Sequence, residues 1–266
     1  GDCVRFILQG LSSAAFPHPE ELMENFVRIT DYLREKIKEN GGDPARETLS
    51  LLPTRDGKPY FTDAVGKVWR VMPFIEGTDC FQRATPELFA ASARAFGHFQ
   101  YLLRDFPAET LHETIPHFHD TVSRVEALRQ AIRENRAGRA QGVQPEIKFA
   151  LTRAEKAGAL VNMLAAGELP LRVTHNDTKL NNVLMDAETG DGVCVIDLDT
   201  VMPGLCAYDF GDAIRFGANT AEEDEADVSK IHFSLPMFKA YAEGYLKEAG
   251  SALSEAEVRS LPLGAW

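Results

Sequence analysis

Three polar residues in the central part of the chain have the types and spacing that phosphoryl transfer to a hydroxyl requires. Asp177 precedes Asn182 by five positions and Asp197 by twenty, and Asp197 directly follows the apolar run V-C-V-I. Such a reaction uses a carboxylate that accepts the hydroxyl proton, together with an amide and a second carboxylate that hold magnesium. Amide and carboxylate oxygens suit this hard cation. The spacing therefore indicates Asp177 as a base, and Asn182 and Asp197 as metal ligands.

Short strand-like segments frame these residues. Residues 171–174 precede the loop that carries Asp177, residues 183–185 follow Asn182, and a Gly-Asp-Gly turn leads into 193–196. The last two segments, paired antiparallel, would hold the three polar residues at one end of a rigid hairpin. A single Asp or Asn at such a place is more often only a turn former. Three at these spacings favour a functional site.

The rest of the chain separates into a strand-rich part and a helical part. The first part contains an amphipathic helix at 20–40 and candidate strands at 4–9, 49–54, 59–63 and 68–75. Further helices are predicted at 87–106, 119–135, 152–167 and 235–249, and another begins at Ser254. This order predicts a two-lobed α+β fold, with an N-terminal lobe at 1–75 and a larger, mostly helical lobe at 76–266. A cleft between two lobes is a common place for a small-molecule site.

Composition excludes several classes of protein. The 266 residues are 44% hydrophobic and 26% charged, which is typical of a globular chain with a sizeable core. A net charge of −12 argues against sequence-independent nucleic-acid binding, which depends on cationic side chains. No apolar run is long enough for a transmembrane helix, and no signal peptide is visible. Four cysteines without C-x-x-C spacing favour a reduced, cytoplasmic protein, and the acidic run at 220–225 is expected to be solvated.

The central stretch also resembles a known group of kinases. H-N-D-T-K-L-N-N-V-L resembles the H-x-D-x-x-x-x-N catalytic loop of the aminoglycoside phosphotransferase and choline kinase superfamily, and I-D-L-D resembles its metal-binding strand end. The longer strings I-D-L-D-T-V-M-P-G-L and Y-D-F-G-D-A-I-R-F-G are similar to the N-acetylhexosamine 1-kinase branch. The resemblance implies a protein-kinase-like fold with a small N-terminal β lobe and a helical C-terminal lobe. It also implies ATP and Mg²⁺ as cofactors and phosphorylation of the anomeric hydroxyl of GlcNAc or GalNAc.

The same resemblance assigns roles to individual residues. Asp177 would be the general base, Asn182 and Asp197 would hold Mg²⁺, and His175 and Asp209 would brace the loop. Asp209 belongs to a D-F-G triplet, but no apolar strand is predicted before it, so Asp197 is the expected metal ligand. The remaining assignments are substrate contacts at Asp199, Arg215 and Phe216, and nucleotide contacts at Gln9, Met72, Phe74 and Ile75.

The chain departs from the kinase pattern near its start. Kinases of this type carry a lysine on the strand that faces the nucleotide phosphates, whereas the matching position here is Gln9. No Gly-rich loop precedes Val4, and both lobes are expected to be truncated at the ends of the chain. Two alternatives therefore stay open: a kinase of another small hydroxyl substrate, such as an aminoglycoside, choline or homoserine, and a non-catalytic pseudokinase or fragment. The oligomeric state is not predicted.

Overall fold

The computed structural model describes residues 4–221 and 225–266. Cys3 and residues 222–224 of the acidic run lie outside the described residues. Contacts divide the chain into two compact units, one formed by Gly1–Thr114 with Leu171–Trp266 and the other by Ile115–Pro170. The division at residue 75 falls inside the first of these units and stays a prediction.

A small antiparallel sheet forms near the start of the chain. It consists of β1 (Phe6–Gly10), β2 (Phe61–Thr62) and β3 (Val68–Pro73), in the order β1-β3-β2. The register places Gln9 of β1 opposite Arg70 of β3. The strand predicted at 49–54 is not formed. Leu52 N donates to Val71 O, but Pro53 has no N–H with which to continue a ladder.

One long amphipathic helix packs beside this sheet. Helix α1 (Pro19–Glu39) confirms the predicted helix, because its buried side includes Phe26, Ile29 and Leu33 at helical spacing. Gly41, at a φ of +78°, follows its end. A short helix that was not predicted, α2 (Pro44–Glu47), comes next, and the Asp43 carboxylate accepts from Ala45 N at its start.

Helices supply most of the remainder of the first unit. They are α3 (Pro86–Leu102), α8 (Cys206–Gly217), α9 (Leu235–Ala249) and α10 (Glu255–Ala265). Helices α3 and α9 approach so closely that a Cβ added at Gly97 would lie 2.7 Å from Tyr245 O. Ser254 and Glu257 form a capping box at the start of α10. Helix α3 ends four residues before its predicted end, since a turn leads from Leu103 into Pro107.

The second unit is helical in the described residues. It contains α4 (Thr121–Glu134), α5 (Gln144–Leu151), α6 (Ala154–Ala157) and α7 (Ala159–Ala165). The single helix predicted at 152–167 was wrong. Thr152 closes α5 instead of opening a helix, and Gly158 separates α6 from α7. Glycine has low helix propensity, which favours a break at this position.

Two further small sheets complete the first unit. Strands β4 (Thr78–Asp79), β6 (Val183–Asp186) and β7 (Gly192–Val195) pair antiparallel in the order β4-β6-β7, and β5 (Arg172–Thr174) pairs with β8 (Met202–Gly204). The β6–β7 hairpin confirms the predicted frame of the site. Strand β8 was not predicted, because its three residues include Pro203.

A continuous apolar core supports the hairpin. Leu180, Val183, Met185 and Cys194 are buried in the same cluster as residues of α1 and α3. Across the described residues, no helix has both the length and the apolar character needed to cross a bilayer.

Candidate active site

The loop after β5 is fixed by a neutral histidine. His175 is fully buried, and its Nε2 lies 2.9 Å from Ile196 O. Asp177 N donates to His175 Nδ1 at 3.3 Å. The ring therefore donates through Nε2 and accepts through Nδ1, which is the arrangement of a neutral imidazole. Burial lowers the pKa of His175 and favours this form. The ring thus links the loop to the residue that precedes Asp197.

Asp209 braces the same loop through the backbone. It is buried in α8, and its carboxylate accepts from His175 N at 2.8 Å and from Asn176 N at 2.7 Å. Burial raises the pKa of Asp209 to about 7, although these two donors favour the charged form. Asn176 has a φ of +67°, a strained conformation for a residue other than glycine. The contacts with Asp209 help to hold this strained turn.

A second carboxylate of α8 holds the next residue of the loop. Asp212 Oδ2 accepts from Thr178 N at 2.8 Å, while Asp212 Oδ1 accepts from Arg215 Nη2 at 2.9 Å. Arg215, one of the expected substrate contacts, is half-exposed. Phe216 is half-buried against the main core and lines a cavity of about 340 Å³ at the end of α8.

 Asp212 therefore connects the loop to the side of α8 that carries Arg215.

The expected base lies between an amide and an ammonium group. The Asn182 amide nitrogen donates to Asp177 O at 2.7 Å and to Asp177 Oδ2 at 3.0 Å. Lys179 Nζ lies 3.3 Å from Asp177 Oδ1. The Asp177 side chain keeps about a quarter of its surface open to solvent, at 28%. Asp177 is thus held in place yet accessible, as a group that takes a proton from a bound substrate must be.

Asp197 lies just beyond the end of β7. Ile196 N donates to Asn182 O at 2.9 Å, which ties this strand end to the end of the loop that carries Asp177. Asp197 adopts a left-handed conformation, with a φ of 60° and a ψ of 54°, and its side chain is exposed. Desolvation by the surrounding protein atoms raises the pKa of Asp197, and the negative charges of Asp199 and Asp177 raise it further. The hairpin therefore brings Asp177, Asn182 and Asp197 to one end, as the sequence predicted.

This end of the hairpin has the donor chemistry of a magnesium site. The amide nitrogen of Asn182 is engaged by Asp177, which leaves its oxygen for a cation. Asp197 offers a carboxylate whose pKa is raised mainly by desolvation and in addition by the negative charges of Asp199 and Asp177, and a cation would relieve that repulsion. Mg²⁺ is commonly held by one or two protein oxygens together with water and substrate phosphates. The residues present fit such an ion, although no group of three His, Cys, Asp or Glu residues arranged for a metal occurs in the described part of the chain.

The end of β3 and the segment that follows it hold the expected adenine contacts. Met72 and Ile75 are buried, and Phe74 is half-buried beneath the guanidinium of Arg5, 3.8 Å from its ring centroid. Several backbone groups here already have partners. Phe74 N donates to Arg5 O at 3.0 Å, and Ile75 O accepts from the Thr78 hydroxyl at 2.8 Å.

Sequence reasoning missed a buried arginine at the centre of the small sheet. Arg70 Nε and Nη2 donate to Gln9 Oε1 at 3.0 and 2.7 Å, and Arg70 Nη2 also forms an ion pair with Asp199. Asp199 is buried, and this pair engages one of its oxygens. Gln9 and Asp199, expected to contact nucleotide and substrate, therefore both contact Arg70. The missed signal was the alternation of β3, which places Arg70 on the same face as the buried Val68 and Met72.

The small sheet with its helix, the helical part and the hairpin site together define a protein-kinase-like fold. The model of the family described as the phosphotransferase enzyme family, APH, matches residues 5–246, so the chain belongs to this family.

Solved structures with the same fold include kinases of several small molecules. A microcompartment-associated aminopropanol kinase matches with a TM-score of 0.58 and 15% identity, over 98% of this chain and 74% of that chain. An aminoglycoside phosphotransferase of Streptomyces rimosus, solved with ADP and streptomycin, matches with a TM-score of 0.51 and 16% identity, over 98% and 87%. An ethanolamine kinase of Plasmodium vivax matches with a TM-score of 0.53 and 14% identity, over 98% and 66%. At these identities the similarity is one of fold.

Proposed function

We propose that this protein is an ATP-dependent kinase that phosphorylates the anomeric hydroxyl of an N-acetylhexosamine, GlcNAc or GalNAc, to give the sugar 1-phosphate. The observation that carries the proposal is the arrangement of Asp177, which Asn182 and Lys179 hold on a rigid hairpin next to Asp197. Membership of a phosphotransferase family supports the reaction type. The choice of sugar rests on the resemblance of the strings around Asp177 and Asp197 to the N-acetylhexosamine 1-kinases.

Asp177 is the general base in this proposal. Its carboxylate accepts the proton of the sugar hydroxyl as the hydroxyl oxygen attacks the terminal phosphate of ATP. Lys179 and Asn182 hold the carboxylate in one orientation, so little reorganisation is needed at the moment of transfer. The neutral His175 accepts from Asp177 N and keeps the base at its place in the loop.

Asn182 and Asp197 are the residues that would hold Mg²⁺. When bound, the ion would supply charge neutralisation at the transferred phosphate. The protein contributes the two oxygen donors and the fixed spacing between them, which the bond from Ile196 N to Asn182 O maintains.

Nucleotide and sugar would bind on either side of this centre. Met72, Phe74 and Ile75 are the proposed adenine contacts, and a relative with the same fold was solved with ADP. Arg215 and Phe216 are proposed to contact the sugar, since cationic and aromatic side chains suit hydroxyl groups and ring faces. A cytoplasmic location is part of the proposal, because ATP and reduced cysteines are both found there.

A second candidate is a kinase of a cationic amino alcohol or aminoglycoside. The net charge of −12 and the neighbouring carboxylates of Asp177 and Asp197 would attract such an acceptor. Solved structures with this fold include kinases of aminopropanol and ethanolamine and an aminoglycoside phosphotransferase. A panel of acceptors, with ADP release as the readout, separates the two candidates. The primary proposal expects turnover with GlcNAc or GalNAc and none with choline, ethanolamine or streptomycin.

The role of Asp177 is tested by the substitution Asp177→Asn. We expect turnover to fall by at least about a thousandfold, because the amide cannot accept the hydroxyl proton. Nucleotide binding, measured by calorimetry, should change little, since Asn182 and Asp197 remain. Lys148→Gln, on α5, is the control and should keep full activity. Turnover near that of the wild type in the Asp177→Asn protein would remove the assignment of the base.

A further inference from the structure

A buried ion pair joins the small sheet to the turn that carries Asp197. Arg70 comes from β3, and Asp199 lies two residues after Asp197 in a short 3₁₀ turn, Leu198–Thr200. The exposed fractions of the two side chains are 1% for Arg70 and 9% for Asp199. An arginine keeps its charge at any ordinary pH, and a buried charge needs a partner. Asp199 supplies that partner.

The surroundings of Arg70 fix its position. Gln9 Oε1 accepts two of its N–H groups, and the ring of Phe26 on α1 lies 4.4 Å from the guanidinium carbon. Met23 Sδ lies 3.9 Å from Arg70 Nη1. The guanidinium is therefore held between the sheet and α1, with one edge directed at Asp199.

The turn that begins at Asp197 is anchored on both sides. On the side before Asp197, His175 contacts Ile196 O and Asn182 O accepts from Ile196 N. On the side after it, the anchors come from the sheet and from α1, because Asn25 donates to Val201 O at 3.1 Å in addition to the pair between Arg70 and Asp199.

Anchoring on both sides explains how Asp197 can keep its left-handed backbone. A residue with a side chain adopts this conformation at a cost, and the conformation persists where surrounding contacts impose it. Among those contacts, Arg70 is the charged group that reaches the turn from the small sheet.

We propose that Arg70 is a positioning residue that sets the metal affinity of the site by holding the Asp197 turn through Asp199. It also places a fixed positive charge on the face of the sheet that carries Gln9, the position at which a lysine was expected. This inference rests on the proposed function, because it takes Asp197 as the ligand of the Mg²⁺ that accompanies ATP. In this view Asp199 acts through Arg70 and the turn, without touching substrate.

The test compares Arg70→Met, Arg70→Lys, Asp199→Asn and the double variant Arg70→Met/Asp199→Asn. ATP binding is measured by calorimetry with and without Mg²⁺, and stability by thermal unfolding. We expect Arg70→Met to weaken the Mg²⁺-dependent part of ATP binding by about tenfold or more, as loss of partners that orient a ligand commonly does. Arg70→Lys should recover part of this loss, since an ammonium keeps the charge but lacks the planar fork that reaches both Gln9 and Asp199.

The double variant separates positioning from a purely structural role. Removing both charges leaves no buried unpaired ion, so its stability should return toward that of the wild type. The weakened Mg²⁺-dependent binding should persist, because the turn is no longer held. If the double variant regains both stability and Mg²⁺-dependent binding, the pair is only structural and the inference is overturned.

A matched control comes from a second, partly buried ion pair elsewhere in the same unit. Arg172 and Glu257 join β5 to α10, with Nε to Oε1 at 2.8 Å. Arg172→Met should lower stability and leave Mg²⁺-dependent ATP binding unchanged at a temperature where the protein is folded.

Failure of this inference is distinguishable from failure of the proposed function. Wild-type protein that binds ATP with Mg²⁺, together with Arg70→Met protein that binds it equally well, overturns the role of Arg70 alone. Wild-type protein without Mg²⁺-dependent ATP binding refutes the proposed kinase and the role of Arg70 with it.

Discussion

Replacing Asp209 tests whether this residue braces the loop that carries Asp177 or is itself a metal ligand, as its D-F-G triplet would suggest. In Asp209→Ala, the N–H groups of His175 and Asn176 lose their acceptor inside the protein. An unsatisfied buried donor costs about 1–3 kcal/mol, so two cost about 2–6 kcal/mol. Part of this loss is offset because the variant no longer pays the desolvation cost of a buried carboxylate. We therefore expect a net loss near the lower end, about 2–3 kcal/mol, which is a large share of the stability of a typical domain.

Asp209→Asn provides a graded comparison. The amide keeps one oxygen acceptor but turns its NH₂ group toward the other N–H, so the loss should be about half that of Asp209→Ala. Urea unfolding gives both values. Nucleotide binding with Mg²⁺ should remain, whereas turnover should fall because the loop that carries Asp177 loosens.

The pH dependence of the same comparison has a definite sign. The pKa of Asp209 is raised to about 7 in the folded protein, so between its ordinary value and pH 7 the folded state binds the extra proton. The contribution of this group to stability is therefore present at low pH and lost as the pH rises through 7. The stability difference between wild type and Asp209→Asn should be larger at pH 6 than at pH 8.

Two results would refute the bracing role of Asp209. One is an Asp209→Ala protein that unfolds at the same urea concentration as the wild type. The other is an Asp209→Asn protein with unchanged stability that no longer binds nucleotide in the presence of Mg²⁺, which would place Asp209 among the metal ligands.

Three further predictions concern the stability of the fold around the site. His175 has a lowered pKa in the folded protein, so below about pH 6.5 the unfolded chain binds more protons than the folded chain, and stability should fall as the pH drops through that value. In a His175→Gln protein, measured by urea unfolding, this pH dependence of stability should be lost. Burial alone would raise the pKa of Glu257, but the ion pair with Arg172 holds this pKa below its ordinary value. The contribution of Glu257 to the free energy of unfolding is therefore present above about pH 4.3 and is lost as the pH falls further. In Glu257→Gln we expect a loss of stability of about 3 kcal/mol at pH 7 that shrinks at acid pH, and an equal loss at both pH values would contradict the ion pair. Gly211→Ala should lower the melting temperature by several degrees, on the order of 5 °C, because the added Cβ would overlap backbone atoms of α10. The open position Gly142 should tolerate alanine. A similar melting temperature for both variants would show that α10 can move to accommodate the added Cβ.

The placement of the candidate site residues could be predicted from local sequence because these residues lie close together along the chain. Asp177 and Asn182 share one loop, and Asp197 follows a hairpin whose strands and turn have clear local signals. The pairing of β6 with β7 then brings the three residues to one end without help from distant segments. The bracing role of Asp209 was also expected, and its bonds to His175 N and Asn176 N are present.

The predictions were wrong or missed an element where the local signal is weak or interrupted. The stretch at 49–54 has the residue types of a strand, but Pro53 prevents continued pairing. The stretch at 152–167 has helical spacing, but Gly158 divides it. Strand β8 is too short to give a periodic pattern, and it forms because β5 lies beside it.

By itself, the sequence indicated the proposed chemistry: a candidate base, two candidate oxygen ligands and a hairpin that holds them, all within about twenty residues. Only the tertiary structure decided what surrounds that chemistry, because the partners come from distant parts of the chain. Arg70 and Asp199 are 129 positions apart, and no local pattern links them. Packing of β3 and α1 against the Asp197 turn brings them together, and the cost of burying an unpaired charge keeps them paired. The segment from Val173 to Gly211 thus carries the local signals of the candidate site, while the contacts that fix the Asp197 turn are a property of the fold.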